Sequence, residues 1–358
     1  MKSQHTQELL NDILSDLSAL RKDDLKTLAD KVFDLLSGRN EDKSVYRFSS
    51  DTKPSECKKC GSTHTYKYGK NSKGYQKYRC SDCGAIFSSV SSTVFCHTQK
   101  NAETWKTFIL CTLEGRTLQY CADKCGISVP TAFSWRHKIL NAMSSCQFEN
   151  QFSGMIEVDE MFVRVSYKGN HSKSKHFAMP RPAFKRGSDN RSTLGKDKAC
   201  VVCVAAREKS YSGIVTHRGA LTTTVLSQVF DGHIADDTLV LTDESHAMKK
   251  YFSNLPCGHV ALRSSITGMK TRSTVPVVKG PYHINNINAL HGRFRSFLSQ
   301  YKGVSTKHLN RYLSLFLWLE NVKDKKTILD KTIDLLVTPN THLSGKEISM
   351  LPLPIVHS

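Results

Sequence analysis

The residues of this sequence that could do chemistry begin with three acids in the segment GMIEVDEMFVRV, Gly154 to Val165. Glu157, Asp159 and Glu160 interrupt a run of apolar and β-branched residues that reads as a strand over 155–165. Side chains alternate along a strand, so Glu157 and Asp159 share one face while Ile156, Val158 and Glu160 take the other. An ionised carboxylate buried alone is expensive, or it stays protonated. A further acid, Asp243 in TLVLTDESHAMKKYF, directly follows an apolar strand at 238–242. It stands at the carboxyl end, where sites collect in α/β sheets. On local grounds Asp243 could equally cap the helix that follows it. If the two strands are neighbours, Asp159 and Asp243 converge, and a divalent cation relieves their repulsion. A few hard oxygen ligands with open positions suit Mg²⁺ or Mn²⁺ bridging to a substrate phosphate.

A second constellation is made of thiols. CKKC at 57–60 and CSDC at 80–83 are two C-x2-C pairs with 19 residues between them. Cys57, Cys60, Cys80 and Cys83 on two tight knuckles can close a tetrahedron around Zn²⁺, and the intervening length suits a β-hairpin ribbon. A ribbon this small buries little core, so the metal is expected to supply folding energy in a structural role. A redox dithiol is the alternative for either pair taken singly. Tyr66, Lys67, Tyr68, Lys70, Lys73, Tyr75, Lys77, Tyr78 and Arg79 lie between the knuckles, and such interleaved cations and aromatics suit contact with nucleic acid. A solvated hairpin face would look similar. Cys121 and Cys125, and Cys200 and Cys203, read as buried thiols.

These residues need elements to position them, and 358 residues are enough for two or three domains with real cores. No apolar run approaches the roughly 20 residues of a transmembrane helix, and the start MKSQHTQELL lacks the apolar region of a secretory signal, so a soluble cytoplasmic, nucleoid-associated protein is expected. Twelve cysteines in such a chain read as thiols or metal ligands rather than disulfides. The formal charge of +19 lies wholly beyond residue 50, because the first 50 residues hold eight Lys/Arg against nine Asp/Glu. A basic excess of this size favours a polyanionic partner.

Along the chain, helical periodicity over 5–38 predicts two amphipathic helices in a region 1–50, with no chemistry assigned. The ribbon occupies 51–99. Residues 100–150 turn helical and resemble a helix-turn-helix, with Gly126 at the turn, Ser128 as N-cap and Pro130 in the first turn of the second helix. Thr131, Ser134, Arg136, His137 and Lys138 would then be available to a DNA groove; a plain helical connector is the alternative. Residues 151–325 form one α/β unit, with strands at 155–165, 199–206, 211–217 and 238–242 and helices at 221–230, 245–253, 284–300 and 306–320. Between its first two strands, residues 164–198 carry ten Lys/Arg, Lys185 and Arg186 among them, against two acids, and read as a long basic loop that tracks DNA backbone. Residues 326–358 read as a loose tail.

The ordered set IEVDEMFV, LTDES and HINNINALHGRFRSFLSQYKGVSTKHLNRYLSLFLWLEN resembles the DDE-type transposases of bacterial insertion sequences. It is most similar to the ISXO-like group, which joins an N-terminal zinc ribbon to a ribonuclease-H-like catalytic domain. The likeness spans roughly 55–325. It implies that Asp159 and Asp243 are the first two members of a catalytic, Mg²⁺-binding triad. Many relatives read H-x-N-x-x-E with a Lys seven residues on; here stand His283, Asn285, Asn288 and Arg295. Asn288 therefore occupies the place of the third ligand and Arg295 that of the Lys. An Asn carbonyl can ligate Mg²⁺ as a neutral oxygen but cannot act as a base. On a helix Asn288, His291 and Arg295 fall on one face, and His291 could itself be the ligand, a proton carrier or a surface histidine. Glu157, Glu160 and Glu244 remain reserve carboxylates, Glu157 first among them for sharing the face of Asp159.

The function this implies is a transposase that binds terminal inverted repeats in double-stranded DNA, cuts the phosphodiester backbone and joins the freed 3′-OH to target DNA. Arg293, Arg295 and Lys302 would hold phosphates, and a homodimer or larger complex would form on DNA. Two other functions fit the same residues: a non-catalytic zinc-ribbon DNA-binding protein derived from a transposase, and a nuclease that cuts without joining.

Overall fold

The computed structural model describes Asp24, residues 56–144 except 58, 73, 74, 89 and 92, then 151–169, 197–262, 265–266, 274–275, 280–338 except 323 and 325, and 344 and 347–348. The helices expected over 5–38, and Lys185 and Arg186 of the basic loop, lie outside the described residues. The chain divides into two compact units, Met1–Arg47 and Phe48–Ser358, and every element named below belongs to the second.

The ribbon is a three-stranded antiparallel sheet of β1 (Thr65–Lys70), β2 (Gln76–Cys80) and β3 (Ile86–Ser88), in the order β1-β2-β3. Its core is small: Tyr78 and Phe87 pack with the cysteines Cys57 and Cys80. The two knuckles are built alike. Gly61 and Gly84 both take left-handed backbone (φ 73° and 67°), and each donates its N–H back to the carbonyl of the first cysteine of its pair, Cys57 and Cys80. Glycine adopts that conformation without the Cβ penalty other residues meet, which lets the chain fold back within five residues.

Three helices follow: α1 (Ala102–Leu113), α2 (Leu118–Cys125) and α3 (Val129–Ser144). Asn101 and Thr117 cap α1 and α2, accepting the N–H of Thr104 and Tyr120. Gly126 ends α2 in left-handed backbone and Ser128 Oγ accepts the N–H of Thr131, so the α2–turn–α3 unit forms where the sequence placed it. Stacked Trp105 and Trp135, with ring centroids 3.7 Å apart, fix α1 against α3.

The largest element is a five-stranded mixed sheet of β4 (Met155–Arg164), β5 (Lys198–Ala206), β6 (Tyr211–Arg218), β7 (Leu239–Asp243) and β8 (Gly258–Leu262). Its order is β6-β5-β4-β7-β8; β4, β5 and β6 pair antiparallel, while β7 runs parallel to β4 and β8 parallel to β7. Ile156, Val158, Cys200, Val202, Val204 and Val240 meet Leu226, Phe230, Met248 and Phe252 of α4 (Thr223–Phe230) and α5 (His246–Phe252) in one apolar core. Helices α6 (Asn285–Gln300) and α7 (Thr306–Asn321) also pack on the sheet, α6 against β4 and β5, α7 against β6 and against α3. A strand covered on both sides reads as an unbroken apolar run, as KACVVCVAA does in β5.

The sequence reading missed several elements, among them a two-stranded pairing of Ser265–Ile266 with Thr274–Val275. Strand β8 lies in the short run GHVAL, and α8 (Ile328–Leu336) lies within the expected loose tail. Leu329, Ile333 and Leu336 of α8 are buried, Leu336 O accepts the N–H of Val94, and α8 packs on α3. That docking supplies the order which composition did not foretell.

Candidate active site

The parallel register decides the site. Glu157 pairs with Leu241, so two residues further along each strand Asp159 and Asp243 stand at the same level. The carboxylate oxygens of Asp159, Glu160 and Asp243 lie within 4.8 Å of one another. Asp159 Oδ1 accepts the N–H of Glu160 at 2.9 Å, and Asp243 Oδ1 accepts the N–H of Ser245 at 2.9 Å. Asp243 is therefore not the N-cap of α5, which is Ser245 and makes no side-chain cap bond; one oxygen of Asp243 braces the turn before that helix.

Glu160, not Glu157, is the carboxylate that joins the pair, against the expectation from strand alternation. The β4–β7 ladder ends at Glu157. The edge beside Asp159 and Glu160 is open there, and the longer glutamate side chain reaches round it toward Asp243. Glu160 Oε2 is buried with no protein partner.

Glu157 does something else. Fully buried, its Oε2 accepts the N–H of Ile287 at 3.0 Å and its Oε1 the Asn286 side-chain amide at 2.8 Å. Ile284, at the N-cap of α6, supplies no side-chain cap, so Glu157 satisfies an orphan first-turn N–H from across the structure. Arg207, in the β5–β6 turn, closes the clamp: its Nη1 lies 3.2 Å from Glu157 Oε1, and its Nη2 donates to the carbonyls of Pro281 and His283. Glu157 thus fixes the start of the helix that carries Asn288, His291 and Arg295.

On that helix His291 is the buried member, 4% exposed, with Nδ1 3.7 Å from Asp159 Oδ2. It is not the surface histidine that was one of its expected readings. Asn288 and Arg295, one turn to either side, are exposed. Burial raises the Asp159 carboxyl to about 8, helped by the charges of Asp243 and Glu160 and opposed by the Glu160 N–H and Arg295. Glu160 rises to about 7 from burial and Asp243, whereas burial, with Arg295, lowers His291 to about 4. Asp159 and Glu160, both raised toward neutrality and crowded against Asp243, make with it a donor set that a hard divalent cation fits, because its charge offsets their repulsion.

The four cysteine sulfurs also form one group: Sγ of Cys57 and Cys83 are 3.6 Å apart, as are those of Cys60 and Cys80. Tetrahedral Zn²⁺ with bonds of about 2.3 Å puts its sulfurs about 3.8 Å apart. All four are free thiols rather than disulfides, and the donor set fits zinc. On the ribbon surface Lys77 and Arg79 lie 5.6 and 5.5 Å from the ring centre of the exposed Tyr68.

The candidate DNA contacts divide. Arg136 is 1% exposed and its Nη2 donates to the Arg116 carbonyl and to Cys121 Sγ, so it is a core residue and not a groove contact. His137 is equally buried. Packing of α3 against α7 covers these middle turns, leaving Ser128, Val129 and Pro130 at its start exposed. Lys138 is half-buried, with Nζ 3.5 Å from the Cys96 carbonyl. Arg293 is held by Glu320 at 2.8 and 2.9 Å and lies over the Tyr211 ring, so its charge is matched within the protein. Arg295 and Lys302 are exposed. Among the described residues no helix is long and apolar enough to cross a membrane.

A curated relative, an uncharacterised protein in the transposable element ISH50 of Halobacterium salinarum, is 24% identical over 289 residues, covering 77% of this chain and 91% of the relative. A solved pre-cleavage Mos1 transpososome aligns with 69% of this chain and 81% of its own at 9% identity and a TM-score of 0.26, too low to bear on the fold. Residues 151–321 match the model of the ISXO2-like transposase domain. That stretch contains all three clustered acids, so the part of the chain that carries them is similar to the transposase domain of insertion sequences.

Proposed function

We propose that this protein is a DNA transposase that binds the terminal inverted repeats of its element, cleaves the phosphodiester backbone and joins the 3′-OH to target DNA. The observation that carries this reading is the convergence of Asp159, Glu160 and Asp243 at one level of two parallel neighbours, beside the helix bearing His291 and Arg295. The strand order, an antiparallel trio followed by two parallel strands, supports a ribonuclease-H-like assignment for the domain.

Asp159 and Asp243 would hold Mg²⁺ or Mn²⁺, with Glu160 or the exposed Asn288 completing the set. Such a cation, when bound, supplies charge stabilisation for the attacking and leaving oxygens of an in-line displacement. Glu157 and Arg207 hold the start of α6. Arg295 offers a guanidinium to substrate phosphate, and its charge opposes the rise of the Asp159 carboxyl. The first turn of α3 and the Tyr68–Lys77–Arg79 face of the ribbon are the surfaces assigned to DNA ends, with Lys302, Lys185 and Arg186 adding backbone contacts. Zn²⁺ on the four cysteines holds the ribbon fold. Recombination requires both ends together, so the working species is a homodimer or larger on DNA.

The test is Mg²⁺- or Mn²⁺-dependent cleavage of DNA carrying the element's ends, followed by strand transfer into added target. Loss in Asp159→Ala and Asp243→Ala, with end binding retained, supports the reading. Glu160→Gln and Asn288→Ala then identify the third ligand. Wild type that binds ends but never cuts points instead to a DNA-binding protein, and cutting without joined products points to a nuclease.

A further inference from the structure

Away from the acids, a cavity of about 490 Å³ opens where α2 and α3 meet the turn between α6 and α7. None of the residues lining it is acidic, and its walls include five rings: Phe133, His137, Tyr301, His308 and Tyr312. Lys302 stands exposed at its rim and Lys307 half-buried beside it. Lys168 also lines it, but its Nζ donates to the carbonyls of Tyr301, Lys302 and Gly303, so its protons are committed although its charge is not.

Behind the walls, several polar atoms of the lining residues have no counterpart in the protein. Arg136 Nε, His137 Nδ1 and His308 Nδ1 are buried without a hydrogen-bond partner, on side chains no more than 5% exposed, and Tyr301 Oη is likewise unmatched. Leaving several such groups unpaired is costly, and four among the residues around one cavity are unusual. Burial holds both imidazoles neutral, so each presents one donor and one acceptor nitrogen. Aromatic walls without an acidic group match the faces of a nucleobase. Unmatched lysines at the mouth match the phosphate attached to it.

We propose that this cavity binds a single nucleotide, its base against the rings and its phosphate at Lys302 and Lys307. The volume falls within the range of sites for small ligands, about 300–1,000 Å³. The nucleotide can come from solution or from a DNA strand that has turned one residue out of its stack. The site does not depend on cleavage, so its test is separate from that of the transposase reading.

The experiment has two arms, both on the full chain. In the first, dAMP, dGMP, dCMP, TMP and inorganic phosphate are titrated against wild type, Phe133→Leu and Lys307→Gln by calorimetry. Phe133→Leu keeps an apolar side chain there and removes the stacking face, and near-unchanged thermal unfolding confirms that it folds. At least one mononucleotide is expected to bind more tightly than phosphate, weakened roughly tenfold by Phe133→Leu and less by Lys307→Gln. In the second arm 2-aminopurine is stepped through duplex DNA carrying the element's ends. A fluorescence rise at one position that Phe133→Leu abolishes identifies the strand as the source, whereas mononucleotide binding with no such rise identifies the free nucleotide. Equal affinity for phosphate and mononucleotides, indifference to Phe133→Leu in both arms, or no binding in either, overturns the proposal.

Discussion

Glu157 and Asp159 stand two residues apart on one strand, and substituting them should have opposite effects on stability. Glu157 is fully buried, and its carboxylate accepts from Ile287 N–H, the Asn286 amide and Arg207. Glu157→Ala leaves a first-turn N–H and part of a guanidinium unpaired. Breaking a buried pair this way costs about 3–5 kcal/mol; because the Arg207 side chain is 27% exposed and can rehydrate, the lower end, about 3 kcal/mol, is expected. For domains of about 150–250 residues each kcal/mol lowers Tm by about 2–4 °C, so a fall of about 6–12 °C follows. Glu157→Gln keeps an acceptor for Ile287 and should lose about half as much. Asp159 instead sits among Glu160 and Asp243, and Asp159→Asn removes repulsion. The metal-free protein should be as stable or more so, while cleavage is lost. Thermal unfolding in EDTA, followed by circular dichroism, measures both. A Glu157→Ala variant within about 2 °C of wild type, or an Asp159→Asn variant as damaged as Glu157→Gln, would refute the assignment of these two carboxylates.

Zinc should be found at one ion per chain by elemental analysis, and Cys80→Ser should lose both the ion and binding to DNA ends while the helical signal of the larger domain persists; a zinc-free wild type with an ordered ribbon would contradict this. Arg136→Met should lower stability by about 1–3 kcal/mol and leave the salt dependence of DNA affinity unchanged, whereas Lys302→Gln should reduce that slope by about 1 with little effect on stability. Acid stability should depend on His308, which burial lowers to about 4 with help from Lys307 and Arg311, against about 6.5 unfolded. The unfolded chain takes up that proton first, so the His308 contribution is level above about pH 6.5 and declines as pH falls toward 4, by up to about 1.4 kcal/mol per pH unit. Urea titrations from pH 7.5 to 4.5 should show the decline flattened in His308→Gln; an unchanged slope would remove His308 as its source.

The chemistry was legible in the sequence wherever it rests on local spacing. Two C-x2-C pairs at ribbon distance, an acid inside an apolar strand, and Gly126–Ser128–Pro130 between helical runs each specify their geometry through bonds close by in the chain. The sheet's long apolar strands were found for the same reason. Short GHVAL gave no period to read, and α8 owes its order to packing on α3 rather than to its own composition.

What the tertiary structure decided is which of several plausible side chains does which task. Alternation on β4 put Glu157 with Asp159 and Glu160 opposite, yet the ladder's end at Glu157 opened the edge to Glu160, and the uncapped start of α6 claimed Glu157. Arg136 and His137 look like groove contacts on an isolated helix, and become interior residues because α7 lies across it. His291 is a surface histidine or a ligand until α6 is laid against β4, where it meets Asp159. Sequence period sets the direction in which a side chain leaves its own backbone. The element waiting there, and whether it brings an orphan donor, a like charge or water, is set by contacts between residues more than a hundred positions apart, as Glu157 and Ile287 are.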